Sequence, residues 1–198
     1  MSLFNAARKH SGSHSMNDCL CKGPDRFLNN LLAVILGFRN GRVGCVADIK
    51  KFHNQVHLFP EDIHMQRFYW SDDPNLPPKI YAVAVNNFGV KPANCIATCA
   101  LRNSADHFSS IYPTESEEVK RQTYIDDGLT AAPSKQEAIV KSQRWDEICA
   151  HASMHNKGWT FSGDDESDVV IGGDDEMDID KILGLLWGPI IDSFIFQA

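Results

Sequence analysis

Tyr124-Ile125-Asp126-Asp127 sets two adjacent carboxylates at a tight turn, between a strand-like run at residues 119–125 and a second apolar run that opens with Gly128 and Leu129. Two acids at a turn between strands make a pincer for a hard divalent cation. Like charges at that range cannot both stay ionised in a dry site, so either a cation compensates them or the turn is wet. Both readings stand on the tetrapeptide alone, because Asp and Gly also tolerate the positive φ of an ordinary solvated two-residue hairpin. A third acid at the end of another strand decides between them.

Two other strings, Gly163-Asp164-Asp165 and Gly173-Asp174-Asp175, lie inside an acidic stretch at 164–180 that holds nine carboxylates and no base. Such a run repels itself and marks a solvated loop. The Tyr124 turn is instead preceded by Lys120 and Arg121 and followed by apolar sequence, so it is the better embedded pair. The third acid is Asp48. It follows the short apolar run Arg42-Val43-Gly44-Cys45-Val46-Ala47, read as a buried strand that delivers Asp48 at its end before residues 49–58 turn away.

The formal charge of −7 is misleading for a nucleic-acid partner. Removing the nine acids of the 164–180 run from the 26 leaves 17 against 19 Lys and Arg, so the rest of the chain is weakly basic and permits a polyanionic partner. No apolar stretch approaches the ~20 residues of a membrane span, and Met1 is not followed by a signal-peptide pattern. The expectation is an intracellular, cytoplasmic chain that is neither secreted nor membrane-bound. Six scattered cysteines are read as free, mostly buried thiols.

Elsewhere the pattern reads as an extended loop over 1–22, a helix from Gly23-Pro24-Asp25 to Asn40-Gly41, and strands at 66–70 and 79–85. A helix with small residues on its packing face spans 92–107. After the 119–132 hairpin, Ser134 caps a helix reaching about Met154, with Glu137 completing a capping box; 159–161 is a short strand, and 181–187 with 190–196 form a terminal hairpin around Gly188-Pro189. This order predicts an α+β fold, an antiparallel sheet backed by helices. Three acids from two elements can hold two Mg²⁺ ions about 3.5–4 Å apart, the arrangement used in phosphoryl transfer.

Five segments in order resemble reverse transcriptases: Ala47-Asp48-Ile49-Lys50-Lys51-Phe52, Phe88-Gly89-Val90-Lys91-Pro92-Ala93, Tyr124-Ile125-Asp126-Asp127, Lys157-Gly158-Trp159-Thr160-Phe161-Ser162 and Leu183-Gly184-Leu185-Leu186-Trp187. With Phe4-Asn5-Ala6-Ala7, Asn17-Asp18 and Lys22-Gly23-Pro24-Asp25, the chain resembles the reverse transcriptase domain of Bel/Pao-type long-terminal-repeat retrotransposon polyproteins over nearly its whole length. The resemblance implies a single partial domain: fingers-like parts at 1–45 and 60–90, and a polymerase palm at 46–59 and 91–198 that carries the acidic loop and a primer-grip-like C-terminal hairpin. It implies an RNA-directed DNA polymerase using two Mg²⁺, or Mn²⁺, with an RNA or DNA template, a primer and deoxynucleoside triphosphates as partners. Thumb, RNase H, protease and integrase regions would lie outside this chain.

Carried over by position, the resemblance makes Asp48, Asp126 and Asp127 the metal-binding acids, with the Ile49 backbone beside them. Ile49, Lys50, Lys51, Phe52 and His53 would lie under the incoming nucleotide. Gly89, Lys91 and Pro92 would contact nucleotide and template, and Lys157 would protonate the leaving pyrophosphate. Tyr124, Leu186 and Trp187 would meet the primer or template, and Arg8 or Lys9 would reach in from the fingers. Two positions depart from the family: Asn5 stands where Asp is usual, and His53 stands where Phe or Tyr excludes a ribose 2′-hydroxyl.

Other readings of these residues are open. Arg8, Lys9, Lys50 and Lys51 are otherwise solvated bases, and Trp70, Trp145, Trp159 and Trp187 are packing residues. The four-residue offsets of His53 and His57, His151 and His155, and Cys95 and Cys99, together with Cys19-x-Cys21, lack the second convergent pair a zinc site needs. A rival of a different class also stands: a catalytically silent retrotransposon remnant that binds nucleic acid or a protein partner.

Overall fold

A computed structural model of the chain describes residues 5–24, 27–162, 180–183, 185–189 and 192–195. Its centre is a four-stranded antiparallel sheet in the order β4 (Thr123–Tyr124), β5 (Asp127–Ala132), β1 (Val43–Ile49), β6 (Asn156–Phe161). Three helices lie against one face: α4 (Ala93–Phe108), α5 (Pro113–Gln122) and α6 (Lys135–His151). The fold is mixed α+β, an antiparallel sheet backed by helices as the pattern predicts. Among the described residues no helix is long and apolar enough to cross a membrane.

The two-residue period of the strands sorts β1 between two cores. Cys45, Ala47 and Ile49 enter the main core with Ala97 and Leu101 of α4, Val119 of α5, and Trp145 and Ile148 of α6. Val46, between them, points the other way and packs with Leu129, Trp187, and Val34 and Phe38 of the helix α2 (Leu31–Phe38). Asp48, two residues on from Val46, shares that second face. So does Asp127, two residues before Leu129. Gly44 keeps the backbone of β1 close to α2, since a Cβ there would meet the Phe38 ring at 2.7 Å.

Two short helices and a detached hairpin complete the first half: α1 (Met16–Cys19), α3 (Pro60–Ile63), and β2 (Arg67–Trp70) paired with β3 (Lys79–Ala82). At the C-terminus β7 (Asp180–Ile182), β8 (Leu185–Gly188) and β9 (Ser193–Ile195) form a separate antiparallel sheet.

Several expectations need correction. The run at 119–125 is not a strand: residues 113–122 are helical, and only Thr123 and Tyr124 extend. The helix signals are Pro113 at the first position, Glu115 in the first turn and Lys120 and Arg121 in the last, which suit the helix dipole. The first long helix starts at Leu31 rather than at Gly23, because the Asn30 side chain accepts from the Ala33 N–H and supplies the cap. The N-terminal stretch holds one helical turn, capped reciprocally by Ser15 and Asp18. The terminal hairpin is three strands, because Leu183 adopts φ 53° and turns the chain inside the 181–187 run. Asp48 lies within its strand rather than after it. Ser134 does cap α6, which ends at His151. The acidic stretch at 164–180 lies outside the described residues apart from the backbone of Asp180, as do Phe4 and Asp25.

The six cysteines are thiols. Cys45 and Cys149 are buried, and burial pushes both up to about 12; Cys19 and Cys21 are exposed.

Candidate functional site

The β1–β5 ladder ends at the pair Asp48 and Asp127. The Ile49 N–H donates to the Asp126 carbonyl at 2.8 Å, which makes Asp48–Asp127 the close, non-hydrogen-bonded kind of cross-strand pair, with Cα atoms about 4.5 Å apart. Their side chains leave the same face of the sheet. Asp126 occupies the two-residue turn between β4 and β5, in which Tyr124 pairs with Asp127. The positive φ at this turn falls on Ile125, at 59°, and not on either acid or on Gly128. A β-branched residue there stores strain of order 1–2 kcal/mol, held by packing of Ile125 against the main core and by the Ile49–Asp126 hydrogen bond.

Charge follows from this geometry. Burial, then the charges of Asp126 and Asp48, push the Asp127 carboxyl up to about 6. Two effects oppose the rise: the Leu183 backbone N–H hydrogen-bonds the carboxylate, and Lys157 is nearby. Lys157 Nζ lies 2.8 Å from Asp48 Oδ1. The hydrogen bond to Asp48, with the fields of Asp48, Asp126 and Asp127, holds the ammonium above the usual lysine range. The four predicted residues Asp48, Asp126, Asp127 and Lys157 therefore form one electrostatic unit.

The donor set fits a hard divalent cation, being carboxylate oxygens that crowd each other's charge and already hold one cationic group. As the side chains stand, the ammonium rather than a third acid completes the cluster. Among the described residues no three His, Cys, Asp or Glu side chains converge as a ready metal group.

Around this centre the remaining predicted residues divide. The Ile49 side chain is buried in the main core, so only its backbone is available to the site, and Phe52 is likewise in the core. Lys50 and Lys51 are exposed, Lys51 at φ 53°. His53 packs edge-on against Phe52 and its Nε2 lies 2.6 Å from Asn94 Oδ1 in the first turn of α4. Since an amide oxygen only accepts, Nε2 is the donor in this contact.

The Gly89 to Pro92 loop before α4 is fixed by Asn17, whose Nδ2 donates to the Gly89 carbonyl at 2.9 Å and whose Oδ1 accepts from the Lys91 N–H at 2.8 Å. Gly89 needs its lack of a side chain for φ +82°. Tyr124 is half-buried against the second core. Trp187 is fully buried there, edge-on to Phe38 at 5.3 Å, with its Nε1 donating to Asp192. Leu186 lies in β8 between Lys181 and Ile195. Lys9 is paired with Asp18 at 2.8 Å, and Arg8 is exposed well away in sequence from the acids.

Three contributors receive no role in the motif reading, although Leu183 and Asn17 lie within its segments. The Leu183 N–H is a backbone group at a turn, and its clue is only the Leu-Gly dipeptide. Asn94 and Asn17 act on partners 41 and more than 70 residues away. No protein-family model matches this chain, and comparison with curated proteins gives no match.

Proposed function

We propose that this chain is the palm, with part of the fingers, of an RNA-directed DNA polymerase that transfers nucleotides by a two-metal mechanism. The observation that carries the reading is the placement of Asp48 directly opposite Asp127 across β1 and β5, with Asp126 at the adjoining turn. The ordered motifs that resemble reverse transcriptases of the Bel/Pao type support it, as does the raised Asp127 carboxyl, which marks a site short of positive charge.

In this reading Asp48, Asp126 and Asp127 hold two Mg²⁺ or Mn²⁺ ions through carboxylate oxygens. When bound, the ions supply activation of the primer 3′-hydroxyl and neutralisation of charge on the departing pyrophosphate. The chain's own residues position the reactants. Asn17 holds the Gly89 to Pro92 loop in the shape that faces template and nucleotide. The ordered imidazole of His53, held by Phe52 and Asn94, borders the sugar of the incoming nucleotide. Lys157, kept protonated by its acidic neighbours, holds a proton beside the acids at an exposed edge.

Primer extension on an RNA template with Mg²⁺ or Mn²⁺, run beside Asp126→Asn, tests the proposal. Extension that the substitution abolishes is the expected result. Absence of extension, or equal extension by both proteins, favours the silent remnant that binds nucleic acid or protein without catalysis.

A further inference from the structure

β6 is not a regular partner of β1. Ala47 pairs with Trp159 and Ile49 pairs with Asn156, so the single residue Asp48 faces two, Lys157 and Gly158. This is a β-bulge, a device that re-aims one side chain and recurs beside functional sites. Its effect here is to bring the Lys157 ammonium to 2.8 Å from the Asp48 carboxylate, on the edge where the acids collect.

We propose that Lys157 is the built-in counter-ion of the acid cluster, an ammonium that neutralises Asp48 until a divalent cation displaces it, so that Lys157 limits divalent-ion affinity. The inference rests on the reading of Asp48, Asp126 and Asp127 as metal-binding acids.

The geometry makes such an exchange feasible. The Lys157 side chain is 60% exposed and that of Asp48 is 37% exposed. A pair so open to water contributes a factor of about five at most to the stability of the contact. A doubly charged ion gains more from the same carboxylates than a single ammonium does, and the flexible lysine stem releases to solvent without disturbing the core. Without Lys157, the mutually repelling Asp48, Asp126 and Asp127 would lose the ion pair that now neutralises Asp48. The bulge thus offsets acid repulsion in the metal-free chain at the cost of competing with the metal.

Mn²⁺ titration of the whole chain, followed by the electron paramagnetic resonance signal of free Mn²⁺, reads binding without reference to activity. Lys157→Gln is expected to bind Mn²⁺ about three- to fivefold more tightly than the unaltered chain. Lys157→Arg, which keeps the charge, stays within about twofold, and Asp126→Asn loses at least about tenfold. Equal or weaker binding by Lys157→Gln, with Asp126→Asn still defective, overturns the counter-ion role and leaves the metal-site reading intact. Absence of Mn²⁺ binding in every protein, or equal binding in Asp126→Asn, overturns the metal-site reading itself and the counter-ion role with it.

Discussion

Asp48 and Asp127 face each other as the last pair of the β1–β5 ladder, and the ladder forces their carboxylates onto one face. A carboxyl raised from 3.8 to about 6 in the folded chain binds its proton more tightly there than when unfolded. Its contribution to stability is therefore fully present below about 4 and is lost as pH rises through about 6. Asp127→Asn mimics the protonated form at every pH. In metal-free buffer it is expected to be more stable than the unaltered chain at pH 7.5, by roughly 1–2 kcal/mol after allowing for solvent screening, and equal to it near pH 4. Urea unfolding at the two pH values checks this; equal stabilities at pH 7.5 contradict the crowding of acids described here.

The turn that presents these acids stores strain at Ile125 rather than using the glycine beside it. Glycine ordinarily costs about 0.5–1 kcal/mol relative to alanine. At φ 59° the order reverses, because alanine keeps the left-handed penalty and glycine does not. Both substitutions remove the same packing of Ile125 on the core, so their difference isolates the backbone. Ile125→Gly is expected to be about 1 kcal/mol more stable than Ile125→Ala by thermal or urea unfolding.

Gly128 serves a different need. It lies in β5 without a positive φ, and a Cβ added there would meet the Trp145 ring at 2.9 Å. Trp145 is 2% exposed and is wedged edge-on against Trp159, so it has little room to retreat. Gly128→Ala is expected to cost about 1–3 kcal/mol by overpacking. The clash resides in the indole's six-membered ring, so Trp145→Phe combined with Gly128→Ala should cost less than the sum of the two single changes. Additive losses would place the glycine's role elsewhere.

How far the sequence revealed this site depended on which physical signal each part carries. Asp48 was legible because it follows a short apolar run, although the strand continues through it to Ile49. The helix over 93–108 was legible because Ala93, Ala97, Leu101 and Ala105 recur on one face. The helix over 113–122 was masked where Val119 and the following residues resemble the strand they lead into; its evidence lies upstream, in Pro113 and Glu115. A bulge changes the side-chain period by one residue, so the sequence shows a strand only at 159–161 and conceals both its start at Asn156 and the turn of Lys157 toward Asp48. The Leu183 N–H is invisible to side-chain reasoning altogether. The resemblance to reverse transcriptases supplied residue roles as expectations only, whereas the pairing of Asp48 with Asp127, and of His53 with Asn94, required the register and the third dimension.

Asn17 gives the last test, because its amide acts as a clamp on a loop more than 70 residues away. One side chain satisfies the Gly89 carbonyl and the Lys91 N–H together, in the manner of a short strand pairing. Asn17→Ala removes both bonds and leaves the Lys91 amide open to water. Each bond is worth roughly 0.5–1.5 kcal/mol, so the Lys91 amide is expected to exchange with deuterium about tenfold faster or more. Amides of β1 and β5 should keep their protection, since Asn17 packs against neither strand's core. Asn17→Asp separates the two halves of the clamp: it retains an acceptor for the Lys91 N–H but sets a carboxylate oxygen against the Gly89 carbonyl. It should therefore protect Lys91 better than alanine does but less well than asparagine. If Asn17→Ala leaves exchange at Lys91 unchanged, the loop holds its shape through Gly89 and the start of α4 alone.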